Sequence, residues 1–168
     1  DIYDEIIARR LKEFNLSKNQ SRKITKESYF KSVIDWLKKI AFDQIFHSKK
    51  IKNIDDYISV HDDSAIEWIN LLFRKGHDWV EYDFIHQSFK EYFAAKYIFE
   101  KMRRGSNIAN LPDFLIKCDY SLLDFLVDFI KSDTLLINRA VSAISTNAKT
   151  THSITGKQIY VLSKLNMD

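Results

Sequence analysis

Between Val80 and Phe99 the apolar pattern changes period, and this change constrains everything packed around it. Val80-Glu81-Tyr82-Asp83-Phe84 alternates apolar and acidic residues with period two, the pattern of a half-buried strand. Beyond it, Phe89, Tyr92, Phe93, Tyr97 and Phe99 spread over one broad surface of a helix, and Ala94 and Ala95 allow a neighbour to approach closely. A helix this apolar, entered directly from a strand, has to be clamped between other elements. Its rings therefore read as packing material rather than as the lining of a ligand pocket.

The joint between strand and helix carries the chemistry. Ser88 followed by Glu91 has the capping-box spacing, which predicts a helix beginning at Ser88 with the glutamate reaching back to the serine amide. His86 falls in the joint. A helix start offers unpaired amide donors and the positive end of the dipole, so His86 stands beside an anion site, with phosphate the obvious anion. The plain alternative is a structural histidine that serves only the fold.

Only 3 Gly and 1 Pro occur in 168 residues, against 45% hydrophobic and 29% charged residues, so long amphipathic helices with few hairpins are expected. A chain of this length buries roughly two-thirds of its unfolded surface. The sequence has no run of about eighteen apolar residues and no basic-then-apolar start, and it reads as a cytoplasmic chain with no membrane partner. Cys118 is the sole cysteine, which excludes an internal disulfide and a thiolate zinc cluster; it is expected to be a small buried hydrophobe. Net charge is +3, and the middle of the chain is acidic, with 5 Lys and Arg against 10 Asp and Glu in residues 51–100. A DNA-reading helix would need the opposite sign there, so a nucleic-acid partner is not expected. The start at Asp1 and the apolar close at Ile159-Tyr160-Val161-Leu162 both read as cuts from something longer.

Helical periodicity organises the rest. Ile2, Tyr3, Ile6, Ile7, Leu11 and Phe14 predict an amphipathic helix over residues 2–14, followed by a polar, basic linker with Lys18, Arg22, Lys23 and Lys26. A wide stripe from Tyr29 to Phe46 predicts a long helix over 27–46. Asn53 caps a short helix, and Ser64 with Glu67 opens another that stops at Gly76. Arg103-Arg104-Gly105 ends the aromatic helix, Pro112-Asp113 opens the next, and apolar-periodic segments follow near 113–118, 121–130, 134–144 and Ile159. The fold class expected is mainly α: a lead-in helix and linker over 1–26, a winged-helix-like domain with a minimal β wing over 27–104, and the start of a helical bundle or repeat region over 105–168.

The segment Phe84-Ile85-His86-Gln87-Ser88-Phe89-Lys90-Glu91-Tyr92-Phe93-Ala94-Ala95 resembles the F-x-H-x-S-F-Q-E-[FY]-F-A-A signature that follows the nucleotide-binding core of NACHT proteins, signal-transducing NTPases of the STAND class. The resemblance implies a winged helix whose histidine, here His86, contacts the phosphates of bound ADP. ADP or ATP would be held by an upstream domain of the same polypeptide, with oligomerisation and effector activation following exchange. Bacterial relatives of this class serve in antiphage defence. Less specifically, residues 1–46 look like the helical segment before that winged helix. The sequence departs from the signature at Lys90, where glutamine is usual, and the change is expected on the solvent side of the helix.

Three other chemistries compete. A P-loop requires G-x-x-x-x-G-K-[ST], but Gly156-Lys157 is followed by Gln158 and Thr151 stands where the first glycine belongs, so the chain is not expected to be an enzyme by itself. A DNA-binding winged helix would present residues 64–75, whose polar stripe is only Glu67, Asn70 and Arg74, poor material for base reading. An HD-type metal phosphohydrolase would use His47, His61-Asp62 and Asp124, with His77-Asp78 as a second pair. These sit among loop and cap positions where histidines and acids are ordinary, and no metal is expected.

Overall fold

The computed structural model describes residues 2–3, 5–9, 26–52, 73–75, 81–105 and 108–166, with backbone alone for 26–30, 73–75 and 108. The chain is mainly helical. Residues 2–3 and 5–9 are helical, followed by α1 (Lys26–His47), β1 (Phe73–Lys75), β2 (Tyr82–Phe84), α2 (Gln87–Arg103), a 3₁₀ turn at Ile108–Asn110, α3 (Leu111–Lys117), α4 (Tyr120–Lys131), α5 (Thr134–Thr151) and α6 (Gly156–Leu165).

The long helix predicted over 27–46 is α1. Its stripe is buried as the spacing demands, with Leu37, Ile40 and Ala41 all 0% exposed. Ser48 then takes a left-handed conformation, φ 51°, and the helix ends.

One predicted element is overturned. The helix from Ser64 to Gly76 does not hold at its end, because Phe73–Lys75 is a strand paired antiparallel with β2, Phe73 opposite Phe84, Arg74 opposite Asp83 and Lys75 opposite Tyr82. The physical reason lies in β2: a three-residue strand has to find a partner for its backbone groups, and this partner outcompetes one more helical turn. Tyr82 also pairs with Ile51, its N–H donating to the Ile51 carbonyl at 2.7 Å, so it stands between two extended segments. The remaining predicted residues of that helix, the short helix after Asn53, and residues 10–25 lie outside the described residues.

Helix α2 is the hub. Tyr92, Phe93, Ala94 and Ala95 are all 0% exposed, and Phe89, Tyr97 and Phe99 pack partly buried against the same core. On one side α2 meets α1, where the rings of Phe42 and Tyr97 lie 4.8 Å apart. On the other it meets α4, through Tyr92 against Phe125 and Phe129 and through Phe99 stacked on Phe129. The lead-in helix docks on the same seam, Tyr3 stacking on Tyr92 at 5.0 Å with its edge contacts to Phe89 and Phe125. The two sides of α2 are thus filled by different parts of the chain, and that arrangement explains the breadth of its apolar surface.

Gly105 closes α2 with φ 78°, a conformation glycine adopts without cost, and its N–H donates to the Met102 carbonyl. Pro112 stands in the first turn of α3, as its fixed φ favours. Helix α5 runs on to Thr151 rather than stopping near Ile144. In its polar tail Thr150 and Thr151 turn their hydroxyls back onto the carbonyls of Thr146 and Asn147. Helix α6 opens on a full capping box: the Gln158 N–H donates to Thr155 Oγ1 at 3.3 Å and the Thr155 N–H to Gln158 Oε1 at 2.9 Å. Gln158 is only 1% exposed, and its amide NH₂ reaches Asn147 Oδ1 and the Pro112 carbonyl, joining α3, α5 and α6.

Candidate functional site

His86 sits between β2 and α2 in extended conformation, φ −142° and ψ 135°, and is exposed. Its side chain is the N-cap of α2. The Ser88 backbone N–H donates to His86 Nδ1 at 3.2 Å, and Ser88 Oγ lies 2.5 Å from the same nitrogen. A ring nitrogen that accepts a backbone N–H is the unprotonated one, so with Nδ1 accepting from Ser88 the neutral ring carries its hydrogen on Nε2. That hydrogen is a donor the cap does not use.

The expected capping box is therefore corrected. Helix α2 starts at Gln87, which puts Ser88 inside the first turn, where its amide is a donor to be capped rather than the cap itself. Glu91 does not reach back to Ser88; it is 6% exposed and accepts from Gln87 Nε2 at 3.0 Å. The histidine ring displaces the serine because it can receive the Ser88 amide from the preceding extended residue.

The anion site at this helix start is smaller than a bare terminus would offer. The Ser88 N–H goes to the His86 ring and the Phe89 N–H to the His86 carbonyl at 3.1 Å. Among the described residues, the donors left at the joint are the Gln87 N–H and His86 Nε2–H. Both can serve a phosphate oxygen arriving from solvent.

Lys90 is not on the solvent side. Its side chain is 15% exposed, and its ammonium lies 2.7 Å from Asp83 Oδ1 on β2. This pair braces the strand against the first turn of α2 and brings a cation to the element that bears His86. The lysine at this position thus bears on the joint's electrostatics rather than on a remote surface.

Of the residues considered for metal chemistry, His47 and Asp124 are described and have other partners. His47 Nδ1 lies 3.1 Å from Asp43 Oδ1 on its own helix, and Asp124 accepts from the Tyr160 hydroxyl. That bond holds the Tyr160 phenol above its usual pKa of 10.0. His61, Asp62, His77 and Asp78 lie outside the described residues, and among those described no group of three His, Cys, Asp or Glu could hold a metal ion. Gly156-Lys157 forms the first turn of α6, and Lys157 donates to the Ile116 carbonyl. Cys118 is buried, its thiol donating to the Phe114 carbonyl; burial pushes its pKa up to about 12. No helix among the described residues is long and apolar enough to cross a membrane.

One constellation was not legible in the sequence. Lys38, 4% exposed on α1, places its ammonium 2.6 Å from both Asp35 Oδ1 and Glu100 Oε1, the latter on α2. A lysine inside the apolar run Leu37-Lys38-Lys39-Ile40-Ala41 was the available signal, but its partner lies 62 residues away.

No family model, curated protein or solved structure matches the chain.

Proposed function

We propose that this chain is a regulatory, non-catalytic portion of a NACHT-type signalling NTPase, in which His86 senses the phosphates of ADP held by an upstream nucleotide-binding domain. The observation that carries the reading is His86 itself. It is exposed at the strand-to-helix joint, and its Nδ1 is occupied by the cap, which leaves Nε2 outside the cap. The match of residues 84–95 to the NACHT signature supplies the identity of that ligand.

The order of elements supports a winged-helix reading. A long helix leads to an extended residue, Ile51, that pairs with β2; β2 also pairs with β1, and the joint then runs into α2. Helix α2 gives the reading a mechanism. Phosphate contact at its first residue pulls on a rod packed against both α1 and α4, so release of that contact is felt on two sides at once. Exchange of ADP for ATP would free the helix and let the parent protein oligomerise and activate its effector in the cytoplasm; antiphage defence is the setting the signature suggests.

The test separates sensing from capping. His86→Ala removes both the phosphate donor and the N-cap, whereas His86→Asn keeps a side-chain acceptor for the helix start and removes the imidazole donor. In the parent protein both variants should weaken ADP binding and raise basal activation. Unchanged ADP affinity in both would refute the role.

A further inference from the structure

At the end of α2 remote from His86, α1 and α2 run antiparallel and their charged stripes face one another across a cavity of about 530 Å³. Its lining contains the cations Lys31, Lys38, Lys96, Arg103 and Arg104 against the two carboxylates Asp35 and Glu100, an excess of three positive charges. The carboxylates do not answer that excess. Both lie within 2.7 Å of the buried Lys38 ammonium, which forms the floor of the cleft and holds them there. Arg103 reaches Asp133 at 3.6 Å, and Lys96 is engaged by the Tyr92 hydroxyl and by the rings of Tyr92 and Phe129. Among the residues whose side chains are described, neither Lys31 nor Arg104 has an ion-pair partner, and both are exposed at the rim.

Helix electrostatics explain only part of this charge. Cations in the last turn of α2 complement the negative end of its dipole, which accounts for Lys101 and Arg103. Lys31 has no such reason, because it stands near the start of α1, the positive end of that helix. Two opposed walls therefore each present a cation above a floor whose charges are already paired. Arginine adds a planar fork suited to phosphate oxygens.

We propose that this cleft binds a compact polyanion carrying two or more phosphate groups, bridging Lys31 on α1 to Arg103 and Arg104 on α2. A ligand with two phosphate groups can offer one to each wall. The proposal stands apart from the sensing role of His86, which lies roughly 15–27 Å away from the cleft's lining along α2 at 1.5 Å per residue. Occupancy would tie α1 to α2 beside the Lys38 pair.

Isothermal titration calorimetry of the 168-residue chain with inorganic tripolyphosphate tests it, with inorganic monophosphate in parallel. Tripolyphosphate should bind at least about tenfold more tightly than monophosphate, and Lys31→Gln/Arg104→Gln should weaken it by about tenfold or more, each tenfold being about 1.4 kcal/mol. Both residues are exposed, so the double variant should melt like the parent chain. The distant Lys164→Gln should leave the affinity unchanged. No binding to the unaltered chain, equal affinity in the double variant, or loss of binding on His86→Ala alone would each overturn the cleft assignment; the last would locate the phosphates at the joint instead.

Discussion

Replacing Lys38 by Met keeps the aliphatic stem and deletes the charge that joins α1 to α2. The side chain is 5% exposed, whereas Glu100 is 29% and Asp35 49% exposed. Breaking a fully buried pair by removing one partner costs about 3–5 kcal/mol, and an exposed pair contributes about 0.2–1 kcal/mol. The Lys38 site lies between these limits. Without the ammonium the two carboxylates, both drawn to one point, also repel one another, but water reaches each of them. Lys38→Met should therefore cost about 2–3 kcal/mol, lowering Tm by roughly 4–12 °C for a domain of this size. Glu100→Gln should cost about 1–2 kcal/mol, and the double variant less than the sum, with a coupling of about 1–2 kcal/mol. Urea melts of the four proteins followed by circular dichroism measure the cycle. A coupling below about 0.3 kcal/mol would show that the pair is screened like a surface bridge and does not join the helices.

Two titrating groups give further checks. Burial holds the Cys118 pKa at about 12 against an ordinary 9.0, opposed by the nearby Lys157 charge. The folded state keeps this proton longer than the unfolded one, so the contribution is complete below pH 9 and is lost as pH rises towards 12. At pH 8 a thiol reagent should label Cys118 only as fast as the protein opens, with the rate rising in denaturant; rapid labelling of the native protein would contradict the burial. Tyr160 is raised above 10.0 chiefly because its hydroxyl donates to Asp124. Its stabilisation is present below pH 10 and fades as the phenol ionises. Asp124→Asn should return the phenolate absorbance titration towards 10.0, and an unmoved titration would break the assignment.

Elements driven by side-chain burial were legible in the sequence, because a stripe such as Leu37, Ile40 and Ala41 has only one satisfactory helical solution. The packing role of Tyr92 and Phe93 was legible for the same reason. What escaped depended on partners distant in sequence. Strand β1 has a single apolar residue in Phe-Arg-Lys and exists because β2 needs a neighbour. The Lys38 pair requires residues on two helices to be brought together. Capping motifs misled in both directions. Ser88 and Glu91 have the right spacing, but a histidine two residues earlier takes the cap, while Thr155 and Gln158, whose box does form, lay in a stretch read only for its lack of a P-loop. Spacing alone cannot rank competing acceptors for one amide. At the candidate site the position of His86 in the joint was readable; its ring orientation and the Lys90–Asp83 brace were not.

The sensing role of His86 is tested most directly by ADP affinity in the parent protein carrying His86→Asn, with the helix start still capped. A donor to a charged phosphate contributes about 1.5–3 kcal/mol, so the dissociation constant should rise by roughly 10- to 100-fold with basal signalling increased. An unchanged dissociation constant, with the variant folded, would mean that His86 caps a helix and does nothing more.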